Sequence, residues 1–166
     1  MVTGPSAIFA VWARAARRAL WLVVCAAAMS MSANAQQRGA PQRIASINLC
    51  ADQHLLALAD PSQIKGLSPF ARDAARSWLA RQAMNHPRLS GHAEDVLMLG
   101  PDLVVAGRFT KRQTREILRA KGLRVEEFDA VTSIDDAKKQ IARFGALIGR
   151  ADIAAQQNAA IDAAVG

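Results

Sequence analysis

Three groupings of residues have the types and spacing for chemistry. Cys50, Asp52 and His54 alternate along the chain, a thiol with an acid and an imidazole close by. A cysteine nucleophile needs such a base within hydrogen-bond reach. Positions 50 and 54 share a face only if Cys50 is already helical. The residues before it read as a strand, which places Cys50 in the following turn as a small packed thiol. His86 and His92 are six residues apart, with Glu94 and Asp95 beside the second. Zinc asks for three or four converging ligands. These histidines read as surface groups, and no metal site is assigned. The third grouping is Arg108, Lys111, Arg112 and Arg115, basic at helical spacing. It could draw an anion to a helix N-terminus or form a solvated face. Ser46, Ser68 and Ser90 lie near strand ends or turns, and none sits in G-x-S-x-G.

The elements that position these groups alternate in period. Residues 43–49 read as a strand, with Ile44, Ile47 and Leu49 among small or polar neighbours. Residues 52–59 carry Leu55, Leu56 and Leu58 and read as a helix stopped by Asp60-Pro61. His54 sits beside that apolar face and reads as partly buried. Ile64 to Leu67 is a second short strand. Residues 71–84 read as a helix, with Trp78 equally suited to core or cleft. Residues 93–99 form a short helix broken by Gly100-Pro101. Leu103-Val104-Val105-Ala106 is a continuous apolar run, as expected of a parallel strand covered on both faces. Thr110 and Gln113 fit a capping box for a helix over 111–121, with Gly122 as its stop. Residues 123–128 are a strand. Ser133 and Asp136 open a helix whose apolar set is Ile134, Ala137, Ile141, Phe144 and Ile148. Asp152 opens a last helical stretch.

Strand–helix alternation with short joints implies an α/β fold: a single lobe with a mostly parallel sheet flanked by helices. Ligands of such sheets sit at the carboxyl ends of the strands. There is no G-x-G-x-x-G after the first strand and no G-x-x-x-x-G-K-[ST], which disfavours a dinucleotide or P-loop site.

Composition bounds the remainder. The 166-residue chain has a formal net charge of +7. Setting aside Arg14, Arg17 and Arg18 leaves 18 Lys+Arg against 14 Asp+Glu over residues 36–166, an ordinary surface and not a nucleic-acid-binding profile. Residues 1–35 read as a secretory signal peptide: Arg17-Arg18, then an apolar core over 19–29, then Ser32-Ala33-Asn34-Ala35 with small residues at −3 and −1. The residues after Arg17-Arg18 match a twin-arginine signal poorly, and Val23-Val24 makes a poor lipobox for Cys25. Cleavage after Ala35 would leave Cys50 unpaired. Residues 36–42, QQRGAPQ, read as a flexible arm.

The mature part opens with RIASINLCADQHLLALAD, continues with IKGLSPF, and then GHAEDVLMLGPDLVVAG. That succession resembles the periplasmic substrate-binding proteins of ABC importers for cobalamin and ferric siderophores. The most diagnostic piece is the acidic short helix running from Glu94 into Pro101-Asp102-Leu103-Val104. The resemblance implies two α/β lobes joined by one long helix, with ligand between the lobes. Residues 43–150 would be the N-terminal lobe and residues 151–166 the start of the connecting helix, with the C-terminal lobe absent. It further implies a periplasmic protein that captures cobalamin or an iron–siderophore complex and delivers it to inner-membrane permease subunits. Asn48, Leu49 and Cys50 match the turn after the first strand that borders the ligand. Phe70 matches an aromatic position that contacts ligand. Gly107 falls where a cobalamin binder can carry a Trp, and Phe109 stands in for that ring. Glu94 matches the glutamate that docks on an arginine pocket of the permease.

The resemblance implies no resident cofactor and no catalysis; cobalamin or the ferric siderophore is cargo. The rival reading is an exported single-domain α/β enzyme or interaction module. An enzyme needs titratable groups converging at the strand ends, and only Asp129 follows the fourth strand closely.

Overall fold

The computed structural model describes residues 39–166. The signal peptide read over 1–35 lies outside the described residues. Four strands form one sheet in the order β2-β1-β3-β4, with β1 at Ile44–Ser46, β2 at Ile64–Gly66, β3 at Leu103–Gly107 and β4 at Val125–Phe128. Every pairing is parallel. Among the described residues, six α-helices accompany them: α1 Leu49–Leu58, α2 Ala80–Ala83, α3 Ala93–Leu99, α4 Arg112–Ala120, α5 Ile134–Ile148 and α6 Ala151–Val165.

The alternation of side chains across a strand builds two cores. On one face, Ile44, Leu103 and Val105 pack with Leu55 and Leu58 of α1 and with Phe144 and Ile148 of α5. On the other, Ala45, Val104 and Ala106 pack with Val96 of α3 and Leu118 of α4. All five residues of β3 are buried, as its apolar run requires. Phe144 stacks between Phe128 at 4.9 Å and His54 at 5.2 Å.

Local chemistry sets several boundaries. Ser133 caps α5 by accepting from the Asp136 N–H at 3.1 Å, and Gly149 ends it in the left-handed region at φ 76°. Gly145 lets α6 approach α5. A Cβ there would overlap the Ala154 methyl and come within 2.8 Å of the Arg150 carbonyl oxygen.

Five expectations need correction. The helix expected from residue 52 begins at Leu49, because Asn48 caps it by accepting from the Ala51 N–H at 3.1 Å; the first strand ends correspondingly early, at Ser46. Cys50 is therefore helical, and its thiol is exposed rather than packed. The helix expected over 71–84 is only Ala80–Ala83. Side chains take the backbone donors that a helix would use: Asp73 accepts from Ala75 N–H at 2.9 Å and Gln53 accepts from Leu79 N–H at 3.1 Å. Trp78 in that stretch is 94% exposed. The capping box at Thr110 does not form. Lys111 occupies the N-cap without a side-chain bond, while the Thr110 hydroxyl accepts from Gly107 N–H at 3.0 Å. Finally, residues 41 and 42 of the expected flexible arm are held. Gln63 Nε2 donates to the Pro41 carbonyl at 2.7 Å and Gln42 N–H donates to Asp102 Oδ2 at 2.7 Å.

Candidate ligand-binding cleft

At the carboxyl ends of β1 and β3 the connecting loops leave a cleft of about 360 Å³. Asn48, Leu49, Phe70 and Phe109, proposed from sequence as ligand neighbours, line it together; His92 and Lys111 complete its rim. Cys50 is one residue beyond Leu49 on the exposed side of α1 and is not part of the lining. The two phenyl rings are solvent-facing, Phe70 at 46% and Phe109 at 83% exposure. Large aromatics left in water beside a concavity are unusual in a monomer surface and offer stacking area to an apolar ligand.

Each wall is fixed by specific bonds. Asn48 spends its Oδ1 on the α1 cap, and its carboxamide lies over Gly107; a Cβ at Gly107 would overlap it. A side chain at Gly107 would therefore have to displace the Asn48 carboxamide. The Thr110 hydroxyl closes the turn that carries Phe109, donating to the Ile47 carbonyl at 3.5 Å. Arg115 braces that turn from behind. Its guanidinium donates to the Arg108 carbonyl at 2.9 Å and pairs with Glu127 of β4. On the far wall, Ser90 Oγ accepts from His92 N–H at 3.1 Å, and Gly91 takes φ 88°.

The cleft rim carries Lys111 and His92 and no carboxylate among its lining residues. Of the basic run, Arg108 pairs loosely with Asp129 at 3.7 Å and Arg112 with Glu116 at 2.6 Å, so most of it is a solvated, self-paired face. Glu94 lies in the first turn of α3, exposed, on the segment that follows His92.

The thiol–acid–imidazole grouping does not assemble. His54 is turned to α5, with Nε2 3.3 Å from Gln140 Nε2, and burial lowers its pKa. Asp52 is turned to Ser68. Burial lowers the pKa of His86 as well, against the opposing bond to the Ile64 carbonyl. Among the described residues no group of three or more His, Cys, Asp or Glu is placed to hold a metal ion.

Sequence reasoning passed over Asp52 as anything but a helix residue. It is fully buried, and burial raises its pKa to about 6 against the opposing hydrogen bonds from Ser46 and Ser68. The available signal was an acid three residues inside the first turns of a helix otherwise reading apolar. A larger hollow of about 660 Å³ lies at the β2 edge, between Pro61, Lys65, Gln82 and His86, away from the strand ends.

No protein-family model matches the chain. It is 30% identical over 119 residues to a cobalamin-binding protein of Halobacterium salinarum, a match covering 72% of this chain and 32% of that protein. The chain therefore spans about a third of the length of the curated relative it matches. Among solved structures it is similar to a periplasmic heme-binding protein from Pseudomonas aeruginosa, with TM-score 0.62 and 20% identity, covering 74% of this chain and 43% of that one. It is also similar to an ABC-type Fe3+-hydroxamate transport protein from Saccharomonospora viridis, with TM-score 0.55 and 26% identity, covering 75% and 48%. The parallel order β2-β1-β3-β4 and the partial coverage match one α/β lobe of such proteins. The chain is thus similar in sequence to part of a cobalamin-binding protein, and in fold to one α/β lobe of periplasmic substrate-binding proteins of ABC importers.

Proposed function

We propose that this chain supplies one wall of the ligand-capture cleft of an ABC importer, taking up cobalamin or an iron–siderophore complex in the periplasm. The observation that carries the reading is the convergence of Asn48, Leu49, Phe70 and Phe109 on one cleft at the strand ends, the position where parallel α/β sheets receive ligands. Exposed rings and a cationic rim suit a large, partly apolar, partly anionic complex. No chemistry is assigned to the cleft. The export signal read over 1–35 supports a periplasmic site of action, and α6 is read as the start of the helix leading to a second lobe. Glu94 is read as the docking carboxylate for a permease arginine pocket, a bidentate contact that sets orientation more than affinity.

The test is a binding titration with cyanocobalamin, hemin and a ferric hydroxamate. One probe is expected to bind, with Phe70→Ala and Phe109→Ala each weakening it about tenfold through lost stacking area. Binding by none of the three, or binding indifferent to both variants, overturns the reading. Glu94→Arg is expected to leave probe affinity unchanged.

A further inference from the structure

One buried carboxyl sits beneath both sides of this cleft and takes no part in contacting ligand. Asp52, in the first turn of α1, has no exposure to solvent. Its Oδ1 accepts from Ser68 N–H at 3.1 Å and its Oδ2 from the Ser68 hydroxyl at 2.5 Å. Ser68 is the hinge of the turn that carries Phe70. Its Oγ accepts from Phe70 N–H at 3.4 Å and its carbonyl accepts from Ala71 N–H at 3.2 Å. On the other side, Asp52 N–H donates to the Asn48 carbonyl at 2.9 Å, and the same carbonyl accepts from the Ser46 hydroxyl at 3.0 Å. The segment from Ser68 to Leu79 has almost no regular structure to hold it. Gln53, the next residue of α1, supports its far end, donating to Ser77 Oγ at 2.9 Å and accepting from Leu79 N–H.

We infer that Asp52 is the positioning residue of the cleft, tying the Phe70 turn to the Asn48–Leu49 turn through Ser68. A carboxylate is costly in a buried place with no cation beside it. Here its two oxygens fit two donors of one residue, which no single uncharged side chain of this size matches as an acceptor pair. Burial raises its pKa against the opposing bonds from Ser68. When the carboxyl takes a proton it loses one acceptor position, so the hold on Ser68 weakens on the acid side. The inference rests on the cleft being the binding site only for its consequence on affinity; the loop geometry stands without it.

The test therefore has two readouts on the whole chain. The first is the Ser68 amide resonance followed by NMR from about pH 5 to about pH 7 in wild type, Asp52→Asn and Asp52→Ala. A titrating shift is expected in wild type and its absence in both variants. Hydrogen exchange of the Phe70 and Ala71 amides should quicken at least about tenfold in Asp52→Ala, and by less in Asp52→Asn, whose carboxamide keeps one of the two acceptor positions. The second is the affinity for whichever of cyanocobalamin, hemin or ferric hydroxamate binds wild type, expected to fall about tenfold in Asp52→Ala and to be partly recovered in Asp52→Asn. A Ser68 amide that does not titrate, or Phe70-turn exchange unchanged in Asp52→Ala, overturns the inference whether or not a probe binds. A failure of every probe to bind wild type overturns the binding reading alone, since the amide readout is independent of ligand.

Discussion

The β3–α4–β4 unit and the stretch between β2 and α3 lie in the same lobe and are built in opposite ways. The first is held by burial: β3 has no exposed residue, and its crossover follows the short strand–helix–strand pattern. The second runs from Leu67 to His92 with only Ala80–Ala83 helical, and is held by side chains reaching backbone. Arg72 donates to the His86 carbonyl at 2.5 Å, Arg88 to the Pro69 carbonyl at 3.0 Å, and Asp52 and Gln53 hold the rest. Both regions deliver an aromatic ring to the cleft, Phe109 from one and Phe70 from the other. The lesson is that a rigid sheet sets where a cleft stands, while replaceable polar contacts set what its second wall looks like. A family can then vary ligand without disturbing the core.

Perturbing each region should separate these roles. The largest effect is expected from Phe128→Ala, which removes a buried ring of β4 packed 4.9 Å from the Phe144 ring and should cost about 3–5 kcal/mol in chemical denaturation. A loss under about 1 kcal/mol would mean that the regular half does not carry the stability.

Next is the pH dependence of the irregular half. The folded protein holds a proton on Asp52 up to about pH 6, against 3.8 for an ordinary aspartate. The fold therefore binds that proton more tightly than the unfolded chain does. The associated stability is fully present below the ordinary value and is lost as pH rises through about 6, roughly 3 kcal/mol in all. Comparing wild type with Asp52→Asn across that window isolates this contribution: the variant should gain relative stability as pH rises. A pH-independent difference between the two would remove Asp52 from the account.

A smaller effect is expected where the regions meet. Gly107→Ala pushes on the Asn48 carboxamide and with it the α1 cap, for a loss of about 1–2 kcal/mol by thermal melt, with Asn48→Gly restoring most of it in the double variant. The smallest belongs to Trp78→Ser. That ring is 94% exposed, so stability should stay within about 0.5 kcal/mol, and a larger drop would show that the irregular segment packs more tightly than its contacts indicate.

The same contrast explains what the sequence could tell. Leu103 to Ala106 could only be a buried strand, and Ile141, Phe144 and Ile148 fall on the buried face of α5 as their spacing requires. Ile134, the first of that series, is half in water at the helix start, where no neighbour covers it. The 71–84 segment misled because its alanines and leucine carry helical spacing, whereas Asp73 takes the Ala75 N–H in a local turn and Gln53, from α1, takes the Leu79 N–H. Of the candidate site, the residues flanking strand ends were legible because strand ends are. Asp52 was not, because its meaning depends on Ser68, 16 positions away.

The central claim is that the strand-end cleft receives the ligand. Its most direct test is an amide-resonance map of the chain during addition of cyanocobalamin, hemin and a ferric hydroxamate in turn. The account predicts that the probe that binds perturbs Asn48, Leu49, Phe70, His92, Phe109 and Lys111, and leaves the β2-edge hollow around Lys65 and His86 unmoved. Perturbations centred on that hollow, or none at the strand ends with any of the three probes, would contradict it.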